Sequence, residues 1–246
     1  MEIYVQSSGY SPDFGYCWMR KSPPYLSKVS SYIQNDSPSL VLARFDGNLF
    51  LLVTDLSSPE KKDFRDRPIR HSVAWECEDN DENEKTLRAI AYQTLQDRDD
   101  LTVKVDQLIQ LDREKGFTFD KDQFENLSKS ITLKNPDKSP DSTIKIAKNS
   151  QALQNVLAEE LQNSRLPSIK ELPPHYELLV VVTGIKSEDT LRKAHIWRSL
   201  SSLVKSDNWD GIEKKRGQQT NFMVAIALIL LLVAIAIVIL WLLLVR

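Results

Sequence analysis

The sequence contains few of the residue types on which catalytic and metal sites most often depend. Its 246 residues include seven glycines, three histidines and two cysteines. The two cysteines, Cys17 and Cys77, are too few for a disulfide framework and are typical of a protein from a reducing compartment. No CxxC or HxxxH pair is present to begin a tetrahedral zinc site. We therefore expect no bound metal and no cofactor.

The low glycine content also argues against a nucleotide site. The stretch VVVTGIKSEDTLRKA predicts a strand, a turn and a helix, an arrangement on which phosphates often dock. It has one glycine, Gly184, where the dinucleotide fingerprint needs three, and the chain has no GxxxxGK[ST] motif. The predicted helix opens with Glu188 and Asp189, which would repel a phosphate. We interpret this stretch as a structural βα unit.

Nucleophilic catalysis is also weakly supported. A cysteine or serine nucleophile needs a base beside it, and the histidines are His71, His175 and His195. His71 and Cys77 are six residues apart in one predicted strand, about 20 Å, which is too far for a hydrogen bond. Cys17 and Cys77 are interpreted as small core residues. An enzyme whose residues meet across neighbouring strands remains an alternative.

The charge balance excludes a simple electrostatic role with nucleic acid. Lysine and arginine number 32 and aspartate and glutamate 34, for a net charge of −2 at pH 7. Proteins that bind nucleic acid through bulk electrostatics carry a positive excess. We therefore expect no nucleic-acid partner.

One long hydrophobic run is present, and it predicts a membrane anchor. The 24 residues from Phe222 to Val245 are all apolar. At about 1.5 Å per residue they would span roughly 36 Å as a helix, against a hydrocarbon core of about 30 Å. Residues 222–245 are therefore predicted to form a single transmembrane helix, preceded by a juxtamembrane linker at residues 206–221.

The basic residues beside this run predict its orientation. Lys205, Lys214, Lys215 and Arg216 precede it and Arg246 follows it. The positive-inside rule then keeps the large N-terminal part in the cytoplasm and the C-terminus outside it. We expect a single-pass, tail-anchored protein with the lipid bilayer as one partner.

The run itself has few specific features. Trp241 sits near its far end, where an indole belongs at headgroup level. By helical angle, Ala225 and Ala236 share one face while Ala227 and Ala234 share the opposite face. Small residues on one face allow close helix packing, so self-association through this helix is possible.

The first 133 residues predict a β-rich part followed by helices. The predicted strands are IYVQ, YCWMR, LVLAR, LFLLVT and IRHSVAWEC. Asp46-Gly47 supplies the positive φ values of a type I′ turn, so Leu40 to Thr54 is predicted to be a hairpin. DENEKTLRAIAYQTLQ predicts an amphipathic helix, and DDLTVKVDQLIQLDREKG predicts a second helix that ends at Gly116.

Residues 134–143, KNPDKSPDST, are predicted to be a flexible linker, because two prolines and alternating charges leave nothing to bury. In residues 144–205, SQALQNVLAEELQNSR predicts an amphipathic helix with Ser150 as a candidate N-cap. Its predicted apolar stripe is Leu153, Val156, Leu157 and Leu161. Leu178 to Val182 predicts a strand covered on both faces, and a helix is predicted from Ser187 to about Lys205. This segment is expected to complete the same domain.

The fold class expected from this order is an α+β or α/β domain followed by one transmembrane helix. The residues predicted to form its core are Val41, Leu42, Leu51, Val53, Val73, Trp75, Leu87, Ile90, Leu179, Val181, Leu191 and Leu200.

Residues 60–71, EKKDFRDRPIRH, are the strongest candidate for a binding segment. The basic side chains placed around Phe64 are Lys61, Lys62, Arg65, Arg67, Arg70 and His71. Arginines with an interleaved aromatic residue suit an anionic partner such as a phosphorylated group, a lipid headgroup or an acidic protein surface. Glu60, Asp63 and Asp66 alternate with the bases, so the segment has an alternative interpretation as a surface turn that neutralises its own charge.

Three classes of function follow from these features. The first is a membrane-anchored, non-enzymatic interaction, scaffold or sensor module that binds a protein partner or a second copy of itself. The second is a membrane-acting effector that oligomerises and disrupts the bilayer, for example in a prokaryotic defence system. The third is a membrane-tethered enzyme. No motif in the sequence assigns catalytic residues, so the first class is favoured.

Overall fold

A computed structural model describes residues 1–34, 36–136, 138–168 and 177–209 of the chain. Within these ranges no helix is long and apolar enough to cross a membrane. The predicted transmembrane helix, its flanking residues from Lys214 onward and its four alanines lie outside the described residues.

The chain divides into two units, Met1–Asp207 and Asn208–Arg246. The second unit contains only two described residues, Asn208 and Trp209. The first unit is a mixed α+β domain whose N-terminal half is rich in strands, in agreement with the coarse fold class predicted from the sequence.

The first unit contains these strands and helices in chain order: β1 (Glu2–Ser7), β2 (Cys17–Trp18), α1 (Leu26–Val29), β3 (Ser39–Phe45), β4 (Asn48–Lys62), β5 (Pro68–Glu78), α2 (Asp81–Gln96), α3 (Arg98–Leu108), β6 (Ile109–Asp112), β7 (Gly116–Phe119), α4 (Lys121–Ser130), β8 (Lys145–Lys148), α5 (Gln151–Asn163), β9 (Leu178–Thr183), α6 (Glu188–Lys193) and β10 (Arg198–Ser201). Eight of the strands form one sheet in the order β2-β1-β5-β4-β3-β9-β10-β8, and β6 pairs with β7 separately.

The predicted hairpin at Leu40 to Thr54 is confirmed. Asp46 and Gly47 have φ values of 52° and 81°, the left-handed backbone that a type I′ turn requires. Strands β3 and β4 pair antiparallel on either side of the turn, with Phe45 opposite Asn48. Strand β4 is longer than predicted, because it continues past Thr54 to Lys62.

The parallel part of the sheet is built from residues on the far side of segment 134–143. Strand β9 runs antiparallel to β3 and parallel to β10, which in turn runs parallel to β8. Every residue of β9 is buried, as predicted for an apolar strand covered on both faces. The β-rich half and the later βα units therefore share one sheet.

Helices α2 to α5 cover one face of this sheet. The register places Trp75, Leu51 and Leu42 side by side on β5, β4 and β3. On that face, the Trp75 indole Nε1 donates a hydrogen bond of 2.9 Å to Ser128 Oγ on α4. The opposite face carries Phe50, whose ring meets Tyr25 near α1 at a centroid distance of 5.9 Å.

Two helices begin and end close to their predicted bounds. Helix α2 is capped by Asn80, whose side chain accepts from the Asn83 N–H, and α5 is capped by Ser150 as predicted. Of the predicted apolar stripe of α5, Val156 is an exception, since 44% of it is exposed.

The second predicted helix ends at Leu108 and not at Gly116, so the prediction is wrong for the residues after Leu108. Residues from Ile109 to Phe119 instead form the short β6–β7 hairpin. Gly116 follows the turn with φ of 80°, and an added Cβ there would lie 2.9 Å from the Phe14 Cβ. The glycine therefore serves a close approach between chain segments and does not end a helix.

The helix predicted from Ser187 to about Lys205 is also wrong in its second half. Helix α6 ends at Lys193, and residues 198–201 form strand β10 between β9 and β8. All four residues of β10 are buried. Pairing with two neighbouring strands outweighs the helical preference of the local sequence.

All twelve predicted core residues are buried, each with at most 1% of its surface exposed. Cys77 is buried, as predicted, but Cys17 is exposed, so its interpretation as a core residue is wrong. Burial raises the pKa of the Cys77 thiol to about 12, which makes it a poor nucleophile at neutral pH.

Candidate functional site

The predicted binding segment forms the end of the β4–β5 hairpin. Strand β3 accompanies β4 only as far as Thr54, and β1 accompanies β5 only from Ser72 onward. Between these points β4 and β5 pair with each other, with Leu56 opposite His71 and Lys62 opposite Pro68. The hairpin therefore extends past its neighbouring strands.

Residues 62–67 form the hairpin tip, and its charges are largely paired with one another. Lys62 Nζ lies 2.9 Å from Asp66 Oδ1, and Arg67 Nη2 lies 2.7 Å from Asp63 Oδ2. The hydrogen bond from the Arg67 side chain lowers the pKa of Asp63, and the backbone N–H groups of Arg65 and Arg67 add to this effect against a smaller opposing effect of burial. This geometry favours the interpretation of a surface turn that neutralises much of its own charge.

Phe64 and Arg65 are the exception within the tip. Phe64 is 47% exposed, and the Arg65 guanidinium carbon lies 5.1 Å from the centre of its ring. Within the described part of the chain Arg65 makes no ion pair. The tip thus presents an aromatic ring and a guanidinium that are available for contact.

Arg70 does not belong to the exposed tip. Its Nε lies 3.2 Å from Asp55 Oδ1, and its Nη1 donates a 2.6 Å hydrogen bond to the Asp36 carbonyl. Asp55 has φ of 57° at an irregularity in the pairing of β4 with β5. Burial raises the pKa of Asp55, although Arg70 and Arg98 act in the opposite direction. Arg70 therefore fixes the base of the hairpin.

Lys61 and His71 meet on a carboxylate that the sequence did not indicate. His71 Nε2 lies 2.9 Å from Asp106 Oδ1 on α3, and Lys61 Nζ lies 2.9 Å from Asp106 Oδ2. On the other side of the ring, His71 Nδ1 lies 2.9 Å from Ser7 Oγ on β1. His71 is fully buried, so its assignment to an exposed binding segment is wrong.

The array of Ser7, His71 and Asp106 contains the residue types of a nucleophilic triad. The hydroxyl of Ser7 and the ring of His71 are both fully buried, and 3% of Asp106 is exposed. A nucleophile must be reachable by its substrate. We therefore interpret the array as a buried polar brace that joins β1, β5 and α3 to the base of the hairpin through Lys61.

The Asp106 carboxylate is the charged centre of this brace. Burial by itself would raise its pKa, but hydrogen bonds from His71, Ser58 and Lys61 together outweigh burial and lower the pKa to about 2. Two of these donors come from the hairpin strand β4. The carboxylate therefore stays ionised at neutral pH and holds the hairpin against α3.

Sequence reasoning missed Asp106, Ser7 and Asp55. The sequence did indicate that His71 needs polar partners such as Asp106 and Ser7. His71 occupies an inward position in the alternation of IRHSVAWEC, and a buried imidazole needs polar partners. The identity of the partner is not visible locally, since Asp106 is 35 residues away on a helix.

The described residues hold no group of three or more histidine, cysteine, aspartate or glutamate side chains arranged to bind a metal. Comparison of the chain with protein-family models, with curated proteins and with solved structures finds no match.

Proposed function

We propose that this protein is a membrane-tethered interaction module, in which residues 222–245 hold the first unit at a bilayer and the hairpin tip contacts a protein partner. The apolar run and the basic flank of Lys214, Lys215 and Arg216 support the tether and a cytoplasmic position of the first unit. The first unit ends at Asp207, which leaves a polar stretch between it and the run.

The observation that carries this proposal is the position of the hairpin relative to the end of the first unit. The strands β4, β3, β9 and β10 lie side by side, and the register places one end of each in a row that we call this edge of the sheet. The residues in the row are Thr54, Ser39, Thr183 and Ser201. The hairpin extends past this edge. The chain also stays at this edge after β10, since the Ser206 carbonyl accepts from the Lys148 N–H.

Beyond its last partner on β1, strand β5 advances from Ser72 to Pro68, which is roughly 13 Å at about 3.3 Å per residue. The irregular pairing of β4 takes up its additional residues over the same distance. The tip therefore projects from the same edge of the sheet at which the first unit ends. A module tethered to a membrane would meet partners in the same membrane at a raised effective concentration.

The composition of the tip favours a protein partner over a lipid surface. Phenylalanine and arginine are enriched in protein interfaces, and arginine is among the residues that most often dominate their binding energy. Asp63 and Asp66 lie among the bases, with 81% of the Asp66 side chain exposed. Anionic bilayers and nucleic acids favour uninterrupted positive charge, whereas a protein surface of mixed charge can complement both signs.

Site-specific photo-crosslinking in cells that express the full-length protein tests this contact. We expect p-benzoylphenylalanine at position 64 to give a product with a distinct protein, and Arg65→Ala to reduce its yield by about tenfold through loss of an interface anchor. Val156 on α5, which is 44% exposed, is the matched control position and should give no such product.

The same products separate the proposal from its alternatives. A crosslinked product of twice the monomer mass would identify a second copy of the chain and favour the oligomerising effector. Loss of membrane potential when the protein is clustered would further support the effector. Crosslinks to lipid alone, or equal products from positions 64 and 156, would rule out the tip as a protein-binding surface.

Two arginines introduced into the apolar run test the membrane tether independently of the hairpin contact. Leu231→Arg together with Ile235→Arg is expected to move most of the protein from the membrane fraction to the supernatant. Each arginine at the centre of a membrane helix costs about 2.5 to 3.5 kcal/mol on insertion scales. The double alanine variant at the same positions is the control and should remain in the membrane fraction. Retention of the arginine variant would contradict the tether.

A further inference from the structure

A cleft of about 450 Å³ lies beside the first turns of α2. We call it the α2 cleft. Its charged lining residues are Asp81, Glu84, Lys85, Arg88, Lys138 and Arg165. Helix α2 begins beside the β3–β4 turn, since the Asp79 N–H donates to the Gly47 carbonyl. This turn is at the opposite end of β4 from the hairpin tip, so the cleft is separate from the surface proposed above.

The acids of the cleft leave a surplus of positive charge. Glu84 Oε1 already accepts from the Arg88 Nε at 3.0 Å and from the Leu166 N–H at 2.7 Å. The Asp81 side chain is 97% exposed, with its Oδ1 at 3.7 Å from Arg165 Nη1. Four bases therefore face two acids among the described lining residues. Asp137 lies outside the described residues.

The two lysines of the cleft come from different segments. Lys85 Nζ donates a 3.0 Å hydrogen bond to Asn135 Oδ1, a neutral partner that leaves the ammonium charge uncompensated. Lys138 is exposed, and its backbone is held by a bridge to Ser164 and a hydrogen bond to the Asn163 carbonyl. The rim that carries Lys138 is thereby fixed against the end of α5.

Arg88 is the fully buried base of the cleft and has one group without a partner. Its Nε binds Glu84, and its Nη1 donates to the carbonyls of Leu161 and Gln162 at the end of α5. Among the described residues, its Nη2 has no hydrogen-bond partner. An unpaired buried donor is energetically unfavourable, and native proteins contain few of them. A bound oxygen ligand would remove this cost.

We propose that the α2 cleft binds a small phosphate-bearing molecule. Cations from α2, from Lys138 and from Arg165 converge on it, and a phosphate offers oxygens in several directions to such a set. The volume exceeds that of inorganic phosphate and suits a small metabolite that carries one. This site is independent of the proposed membrane tether and of the hairpin contact.

Thermal unfolding of the full-length protein in non-ionic detergent tests the site, with inorganic phosphate and pyrophosphate as probes at constant ionic strength. We expect a saturable rise of the midpoint, roughly 5 °C at one hundred times the dissociation constant. Phosphate also stabilises proteins by exclusion from their surface, so the comparison between variants carries the test.

Lys85→Ala and Lys138→Ala are each expected to weaken the apparent affinity about tenfold. Lys193→Ala is the matched control, because Lys193 lies on α6 and 77% of its side chain is exposed. These variants avoid Arg88, whose clamp on α5 makes its replacement a folding risk. The absence of a saturable response to either probe would overturn the proposal, as would equal responses of the wild type and both cleft variants.

Discussion

Replacing Asp106 with alanine is expected to lower the free energy of unfolding by about 3 kcal/mol. The carboxylate accepts from His71 Nε2 at 2.9 Å and pairs with Lys61 Nζ at 2.9 Å, and both partners would lose their acceptor. Removing one member of a buried pair typically costs about 3 to 5 kcal/mol. We place the cost at the lower end because 21% of the Lys61 side chain is exposed and can recover water.

Urea titration of the full-length protein in detergent, followed by the fluorescence of the buried Trp75 and Trp197, measures this cost. The control is Asp189→Ala, which removes an exposed partner of Lys193 on α6 and should change stability by less than about 0.5 kcal/mol. A loss below 1 kcal/mol for Asp106→Ala would contradict the role of the brace.

The lowered pKa of Asp106 predicts that part of the stability of the protein is lost at acidic pH. Its pKa is about 2 in the folded protein, below the usual aspartate value of about 3.9 in an unfolded chain. Because the folded value is the lower one, this contribution is fully present above pH 4 and is lost as the pH falls through about 2. The contribution amounts to roughly 3 kcal/mol. The difference in stability between wild type and Asp106→Ala should therefore shrink between pH 5 and pH 2.

Replacing Arg198 with alanine is expected to cost about 3 to 5 kcal/mol. Arg198 is fully buried on β10, its Nε donates to Glu160 Oε2 at 2.7 Å, and its Nη2 also binds Glu160 Oε1. The guanidinium also donates to the carbonyls of Asp141 and Thr143. Alanine would leave the largely buried carboxylate of Glu160 and the Thr143 carbonyl without these donors, and the Asp141 carbonyl would keep only the Trp197 indole.

Two further variants separate charge from packing at this site. Arg198→Met combined with Glu160→Leu removes both charges and should recover part of the loss, but not all of it, because the Thr143 carbonyl still lacks the donor that Arg198 supplied. Arg192→Ala breaks an exposed pair with Glu188 and should have little effect. Urea titration gives all three values. Full stability of Arg198→Ala would show that the network contributes nothing.

Hydrogen exchange provides a local test of the Arg198 network. The Trp197 indole also donates to the Asp141 carbonyl, at 2.6 Å, so β10 holds the end of the predicted linker 134–143 at two points. We expect Arg198→Ala to increase amide exchange at residues 141–145 more than at α2. A uniform increase over the whole domain would indicate global destabilisation only.

The features that the sequence alone determined are those set by neighbouring residues. Asp46 and Gly47 adopt positive φ cheaply, so the hairpin between β3 and β4 was predictable from two residues. The acids and apolar spacing of α2 specified that helix, and the apolar run of β9 specified a strand covered on both faces. The twelve predicted core residues followed from the same periodicities.

Other features were decided by partners that are distant in the sequence. Residues 198–201 became a strand because β8 and β9 offered them two sets of hydrogen bonds, and residues 109–119 became a hairpin although their pattern continued that of α3. Local preference differs by less than about 1 kcal/mol per residue, so tertiary pairing overrides it.

The binding segment shows the same division. Its composition predicted a charged segment between two strands, with a surface turn as one interpretation, and Phe64 and Arg65 are exposed there. Only the fold showed that His71 faces inward and that Lys61 reaches Asp106 on α3. Charge and hydropathy are written in the sequence, but the pairing of a buried charge depends on which elements the tertiary structure brings together.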